Sequence, residues 1–317
     1  MLAFLLISII SCKKSVNWGT ECDNVEEMLF QTGFNNCTLI ENTKYSHDKF
    51  SGIDTAFSEL NNWELLDNSS FIGNCQISYE DGDKSQRYAE ITDDPNGSEN
   101  KVLHFKIIEP HIREGFHKKG RVSVNLNGNK CIKEYYQTVR LYLHPDMEYL
   151  KEWEQQVHWL SLFEFWNNAN WNGERNPFRV TVNLYKNENG PVEEMYFCAK
   201  GDRDIRLGNW DPVWVELADN FSVPFGVWME IELYIKEGDE NNGRFYMAVT
   251  PEGGEKTIVF DVTGYTQHPR EKYPDGYTDM NLLKFYTSED IINYMSDNGK
   301  NLDIYWDDWT FYRNKQP

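Results

Sequence analysis

The sequence predicts an all-β protein in which antiparallel sheets pack as a sandwich or barrel. Three observations carry this. About a dozen strand-like runs, many alternating apolar and polar side chains, recur along the chain. Clusters rich in Gly, Asn, Asp and Pro separate them: LNGNK, KNENGP, DENNG, PEGG and DPNGSEN hold the residues that reverse strands. No long amphipathic helix lies between the runs, although MEYLKEWEQQ has the pattern of a short one. Sheet must therefore pack on sheet.

In chain order, the first segment is MLAFLLISIISC, a short apolar run ending at Ser11-Cys12. It is too short to span a bilayer as a helix. It reads as the apolar region of an export signal, although the usual basic residues ahead of it are missing. Its ending resembles a bacterial lipoprotein lipobox, in which Cys12 becomes the lipidated first residue and anchors the protein to a membrane of the cell envelope. An ordinary cleaved signal with a chance cysteine is the other reading. The polar CKKS that follows suits a tether. Residues 13–54 are weakly periodic, with a helix-like NVEEMLF, and read as a tether and N-terminal cap. Residues 55–317 hold the strand-like runs with no internal repeat or linker, so one domain is expected.

Export implies a compartment that permits disulfides. Setting Cys12 aside leaves Cys22, Cys37, Cys75, Cys131 and Cys198, an odd number. Cys22 and Cys37 are expected to pair. The other three sit in strand-like contexts and are expected to be buried thiols. No Cys/His spacing suits zinc.

The net charge is −20, from 31 basic and 51 acidic residues. That argues against nucleic acid, whose affinity comes largely from neutralised phosphates. It weighs against a polyanionic substrate too, unless basic residues cluster locally. Aromatic content is 15%, enough both to fill a core and to present flat rings to a ligand.

Alternation assigns faces. In FRVTVNLYK, Phe178, Val180, Val182 and Leu184 point inward, leaving Arg179, Thr181, Asn183 and Tyr185 outside. GRVSVNL leaves Arg121, Ser123 and Asn125, YYQTVRLYLH leaves Arg140, Tyr142 and His144, and LLKFYTS leaves Lys284 and Tyr286. In QQVHWLSLFEFWNN, Val157, Trp159, Ser161, Phe163 and Phe165 fall on one side and Gln156, His158, Glu164 and Trp166 on the other. If these strands are neighbours, their outer faces make a groove of hydrogen-bonding groups and rings that suits a polysaccharide or oligosaccharide. The alternative is an ordinary solvated face. Trp166 and Trp171, with NNANWNG around the latter, favour the groove.

The segments EITDDPNGSENKVLHFKI, VPFGVWMEIELYIKEGDENNGRFYMAV and LLKFYTS…LDIYWDDWTFYR span most of residues 60–313. On these the chain resembles the concanavalin A-like jelly-roll group. Within that group it resembles the alginate- and heparin-lyase-like polysaccharide lyases and related Bacteroidetes-type lipoproteins. The resemblance implies a jelly-roll β-sandwich of two antiparallel sheets. Gln156-Val157-His158 is similar to the Gln-Ile/Val-His motif of alginate-type lyases, and Lys284 with Tyr286 resembles, more loosely, their Tyr-x-Lys-x-x-x-Tyr segment. The Arg-x-Glu-x-Arg motif of those enzymes is not evident, FYTS lacks their YNQ ending, and the Glu-x-Asp-x-x-Glu signature of retaining glucanases is absent.

β-Elimination on a uronate needs its carboxylate neutralised, a base at C5 and an acid at the leaving oxygen. Gln156, Asn183 or Arg140 would serve the carboxylate, His158 the base role, and Tyr286 or Tyr185 the acid, or both base and acid for one stereochemistry. Arg179 or Lys284 would hold a neighbouring uronate. Arg121, Asn125, Glu164 and Trp166 complete the expected substrate contacts. His104 and His144 are weaker candidates, and His144, before Pro145, is expected to end its strand. Catalysis needs no cofactor in this scheme. The fold resemblance also implies a structural calcium at Asp307 or Asp308, whose alternative is a solvent-facing or bulge-capping pair. The expectation is a monomeric, lipid-anchored lyase acting on a uronate glycan, or a non-catalytic glycan-binding lipoprotein. A purely structural envelope protein is the third option.

Overall fold

The computed structural model describes residue 22 and residues 24–317, apart from 36, 44–45, 58, 68, 115–116, 170, 172 and 207–208. The expected export signal, the lipidated Cys12 and CKKS lie outside the described residues, as do Asn170 and Asn172 of NNANWNG.

The strands, in chain order, are β1 (Glu27–Thr32), β2 (Leu39–Asn42), β3 (His47–Ser51), β4 (Asn74–Ser78), β5 (Arg87–Asp93) and β6 (Lys101–Ile107). Then come β7 (Ile112–Glu114), β8 (His117–Asn127), β9 (Glu134–Leu143), β10 (Leu160–Asn167), β11 (Phe178–Tyr185) and β12 (Tyr196–Arg206). The last are β13 (Asn209–Leu217), β14 (Trp228–Lys236), β15 (Arg244–Pro251), β16 (Thr257–Thr263), β17 (Asp279–Ser288) and β18 (Leu302–Arg313). Two short α-helices, α1 (Trp63–Asp67) and α2 (Glu289–Asp297), and one 3₁₀ helix, Pro145–Glu152, complete the described elements. The 3₁₀ helix covers most of MEYLKEWEQQ, and His144 ends the preceding strand by capping it: its Nδ1 accepts the Asp146 N–H.

Every named pairing is antiparallel, and the chain forms the expected all-β sandwich. An eight-stranded sheet runs β16-β15-β14-β9-β18-β6-β5, with β1 also on β18. A ten-stranded sheet runs β13-β12-β11-β10-β17-β8-β4-β3-β2, with β7 also on β8. The core lies between them because one side of each strand is apolar: Phe105, Leu141 and Trp306 from one sheet meet Val124, Phe163 and Leu283 from the other. Phe163 meets Trp306 edge-on at 5.5 Å, and Tyr135 tilts against Phe165 at 5.9 Å. Each such side chain, once removed from water, stabilises the fold by about 1.5–3 kcal/mol.

The helix-like NVEEMLF is in fact largely strand. Its second half opens β1, and Glu27–Thr32 pair with the second half of β18. A lone helix of that length is below the nucleation limit, whereas β18 offers a row of backbone partners. Phe30 then enters an aromatic cluster with Trp63, Trp309 and Phe311. Residues 27–51, in the stretch expected as tether and cap, contribute strands to both sheets.

The expected Cys22–Cys37 pair is corrected. Cys22 is bonded to Cys131, 109 residues away, and Cys37 is an exposed thiol. The reason is long-range. Pairing of Glu27 with Arg313 leads the N-terminal chain past the start of β9, just after Cys131. Cys75 and Cys198 are buried thiols as expected, and burial pushes both above the ordinary thiol range, Cys198 to about 11. Cys131→Ser should therefore lower the unfolding free energy by about 2–4 kcal/mol in a denaturant titration. Non-reducing peptide mapping should recover the Cys22–Cys131 peptide, with Cys37 the one thiol among the described residues that a thiol reagent labels in the native state.

Candidate active site

The ten-stranded sheet turns its outer face into a groove of about 620 Å³. Five adjacent strands, β8, β17, β10, β11 and β12, supply most of its floor. Period-2 alternation puts Arg121 of β8, Lys284 and Tyr286 of β17, and Arg179 and Asn183 of β11 on that face, as the sequence predicts. Two register slips then change the pattern. One lies between Ser161 and Phe163 against β11, and the other between Asn281 and Leu283 against β8. Because of the first, Leu162 and Phe163 are both core residues, so Ser161 and Glu164 both face the groove. Ser161 and Trp159 were expected on the core side. Trp159 precedes β10, where no strand alternation holds, and with His158 it lines the groove.

A chain of ion pairs crosses the floor. Lys284 contacts Glu164, Arg179 Nη1 donates to Glu164 Oε1 at 3.2 Å, and Arg179 Nη2 donates to Asp202 Oδ2 at 3.3 Å. Lys284 is 1% and Glu164 6% exposed, so neither charge has water to stabilise it. Burial pushes the Glu164 carboxyl up, but Lys284 and Arg179 outweigh it and hold it down at about 2. Burial also pushes the Lys284 ammonium down to about 8, in spite of Glu164. Arg121 is equally engaged. It pairs with Glu80, its Nε donates to Ser123 Oγ and its Nη2 to Asn281 Oδ1, each at 3.0 Å.

Rings stand around this floor. Arg179 stacks on Trp210 at 4.2 Å, and Trp166 meets Trp171 edge-on at 4.4 Å. Tyr286 meets Trp159 edge-on at 4.9 Å. Burial pushes its phenol up to about 12, against the pull of Lys119, which hydrogen-bonds it, and of Arg121. Two buried donors on the lining, Trp166 Nε1 and Asn281 Nδ2, have no acceptor among the described residues.

In all, five basic side chains, three carboxylates, four indoles and one phenol line the groove. The chain as a whole carries −20, so the basic excess here is a local reversal of sign. Such a surface can hold an anionic chain with flat apolar faces, and it places a phenol and an imidazole where a bound chain would pass.

The remaining expected residues fall elsewhere. Arg140 is corrected: it lies on β9 of the other sheet, where its guanidinium meets Asp307 at 3.6 Å, Asp308 at 3.8 Å and Glu252 at 3.5 Å. Its alternation was read rightly, but alternation does not say which sheet a strand joins. Gln156 is exposed and donates to the Asn187 carbonyl, outside the groove lining. Tyr185 sits beyond the cavity, its hydroxyl donating to Asn187 Oδ1 at 3.2 Å. Asn125 lines an adjoining cavity. His104 packs on the eight-stranded sheet, stacked on Tyr305. Asp307 and Asp308 face Arg140, and Asn100 Nδ2 donates to Asp307 Oδ2 at 2.8 Å. Among the described residues no group of three or more His, Cys, Asp or Glu is arranged for a metal. Sequence reasoning missed Lys119, Lys200, Asp202, Trp210 and Asn281. Lys200 and Asp202 follow from alternation along β12. Trp210 and Asn281 depend on the strand order and on the register slip.

No protein-family model matches the sequence, and no curated protein matches it significantly. Among solved structures, a mutant of the alginate lyase Aly36B in complex with alginate tetrasaccharide overlays with a TM-score of 0.45 at 12% identity, over 90% of this chain and 96% of that one. The PL-14 alginate lyase of Aplysia kurodai overlays with a TM-score of 0.47 at 8% identity, over 88% and 100%. The endo-β-1,4-glucuronan lyase of Trichoderma reesei gives 0.41 at 13%, over 73% and 89%. At such identities the likeness carries no side-chain role from one chain to another.

Glu164→Gln strands the Lys284 ammonium in the interior and should lower the unfolding free energy by about 3–5 kcal/mol at neutral pH. The pH dependence has a defined sign. Glu164 is depressed in the folded state, so its contribution is present above its ordinary value of 4.5 and lost as pH falls through about 2. Lys284 releases its proton near 8 when folded and near 10.5 when unfolded, so in that window the unfolded chain binds more protons and stability rises with pH. Lys284→Met should remove that rise, read as the difference from wild type in unfolding free energy between those two values.

Proposed function

We propose that the protein is a polysaccharide lyase that cleaves a uronate-containing glycan in this groove by β-elimination. The observation that carries the reading is the concentration of five cations and four indoles in one concavity of a strongly acidic chain. Indoles stack on the C–H faces of sugar rings, and the cations hold carboxylates. In the elimination a base takes the C5 proton, the C5–H electron pair becomes the C4–C5 double bond, and the C4–O bond breaks. An acid then protonates the departing oxygen. Tyr286 supplies the phenolic proton, with His158 on the same lining as the base. Lys119 and Arg121, both beside the Tyr286 ring, lend positive charge where the substrate carboxylate gains electron density. The proposed steps use side chains alone.

The reading extends to location. Export with a lipid anchor on Cys12 accords with the apolar N-terminal run, and the Cys22–Cys131 disulfide accords with an oxidising compartment. A second reading, a non-catalytic glycan-binding lipoprotein, draws support from the engagement of Lys284, Arg179 and Arg121 with the protein's own carboxylates.

Incubation with a panel of uronate glycans should give the ultraviolet absorbance of an unsaturated uronate. Glycan binding without that absorbance on any substrate would favour the binder. Tyr286→Phe should lower turnover by about 10²–10⁴-fold with glycan affinity and folding retained, and His158→Ala should do the same. Near-wild-type turnover in either variant removes that residue from the chemistry.

A further inference from the structure

Continuous with the groove lies a second cavity of about 650 Å³. Glu80, Arg121 and Trp171 line both, so the two form one trough across the sheet. Their chemistry differs. The walls of the second part come from β4 and the end of β8, as Asn74, Gln76, Ser78, Asn125 and Asn127. On paired strands Asn74 stands opposite Asn127, Gln76 opposite Asn125 and Ser78 opposite Ser123. These are neutral groups, some bonded to one another: Asn74 Nδ2 donates to Gln76 Oε1 at 3.0 Å and Ser123 Oγ to Asn125 Oδ1 at 2.8 Å.

The charged groups on this second lining are Arg121, Glu80 and Asp279. Arg121 is held by Glu80, Ser123 and Asn281. Asp279 is buried and engaged within the protein. A sugar carboxylate placed here would meet one cation on the lining, Arg121, and that one is already held by Glu80. A neutral pyranose would meet side-chain amides spaced along its hydroxyls, with the half-exposed Trp171 indole at the junction. In the other part, Lys119, Lys200 and the cations of the floor suit a carboxylate.

We infer that the trough takes a heteroglycan, with a uronate over β10, β11, β12 and β17 and a neutral sugar over β4 and β8. An unbroken polyuronate fits only half of it. This rests on the function proposed above and deepens it by naming the class of glycan.

Isothermal titration of the full chain with two tetrasaccharides of equal length tests this: one all uronate, the other alternating uronate with neutral hexose. The mixed one should bind about tenfold or more tighter. Gln76→Lys, which puts a cation into the neutral half at a partly exposed position, should tighten the all-uronate ligand several-fold and narrow the gap. Equal or tighter binding of the all-uronate ligand by the wild-type chain would overturn the inference and leave the lyase reading standing. Binding of neither would overturn that reading, and the inference with it.

Discussion

The buried ion chain Lys284–Glu164–Arg179–Asp202 is the constraint on which the groove depends. Its members come from β17, β10, β11 and β12, four neighbours in the ten-stranded sheet, so it ties their outer faces together side chain by side chain. Ions removed from water lose several kcal/mol of hydration each, and good geometry is what offsets that loss. The chain therefore tolerates little displacement, and the rings above it inherit fixed positions. Trp210 lies against Arg179, and Tyr286 lies over Lys284 at 4.8 Å. Lys119, beside the Tyr286 and Trp159 rings, and Lys200 add two further cations to the same lining.

The eight-stranded sheet supports this from behind. Its inner face supplies Tyr135, Leu141 and Trp306, which back the β10 residues Phe163 and Phe165. A second tie sits at one end of β10, where Asn167 and the Gly276 N–H both donate to Glu237 Oε1. Burial pushes that carboxyl up to about 7. Asn167 directly follows Trp166, so the same strand end that presents the indole is bonded into the sandwich.

Much of the fold was legible because burial has a period of two. The inward positions Val122, Val124, Val180, Val182 and Phe285 are all fully buried, and the turn clusters separate the strands where their chemistry predicts. Part of the site was legible on the same ground, since Arg121, Arg179, Asn183, Lys284 and Tyr286 needed only alternation. What failed were properties no local pattern carries. Arg140 alternates correctly yet belongs to the opposite sheet. The bulge around Leu162 shifts Ser161 to the groove, and nothing in SLFEF distinguishes it from a regular strand. The Cys22–Cys131 bond depends on β1 finding β18 across almost the whole chain.

The proposed function requires that anionic glycan lie along the outer face of the ten-stranded sheet above the ion chain. A crystal structure with a bound uronate oligosaccharide tests it most directly. The expected result is a uronate carboxylate within hydrogen-bond distance of Lys119 or Tyr286, with at least one sugar ring stacked on Trp166, Trp171 or Trp210. A glycan seated on the eight-stranded sheet, or one that leaves Tyr286 and His158 untouched, would contradict it.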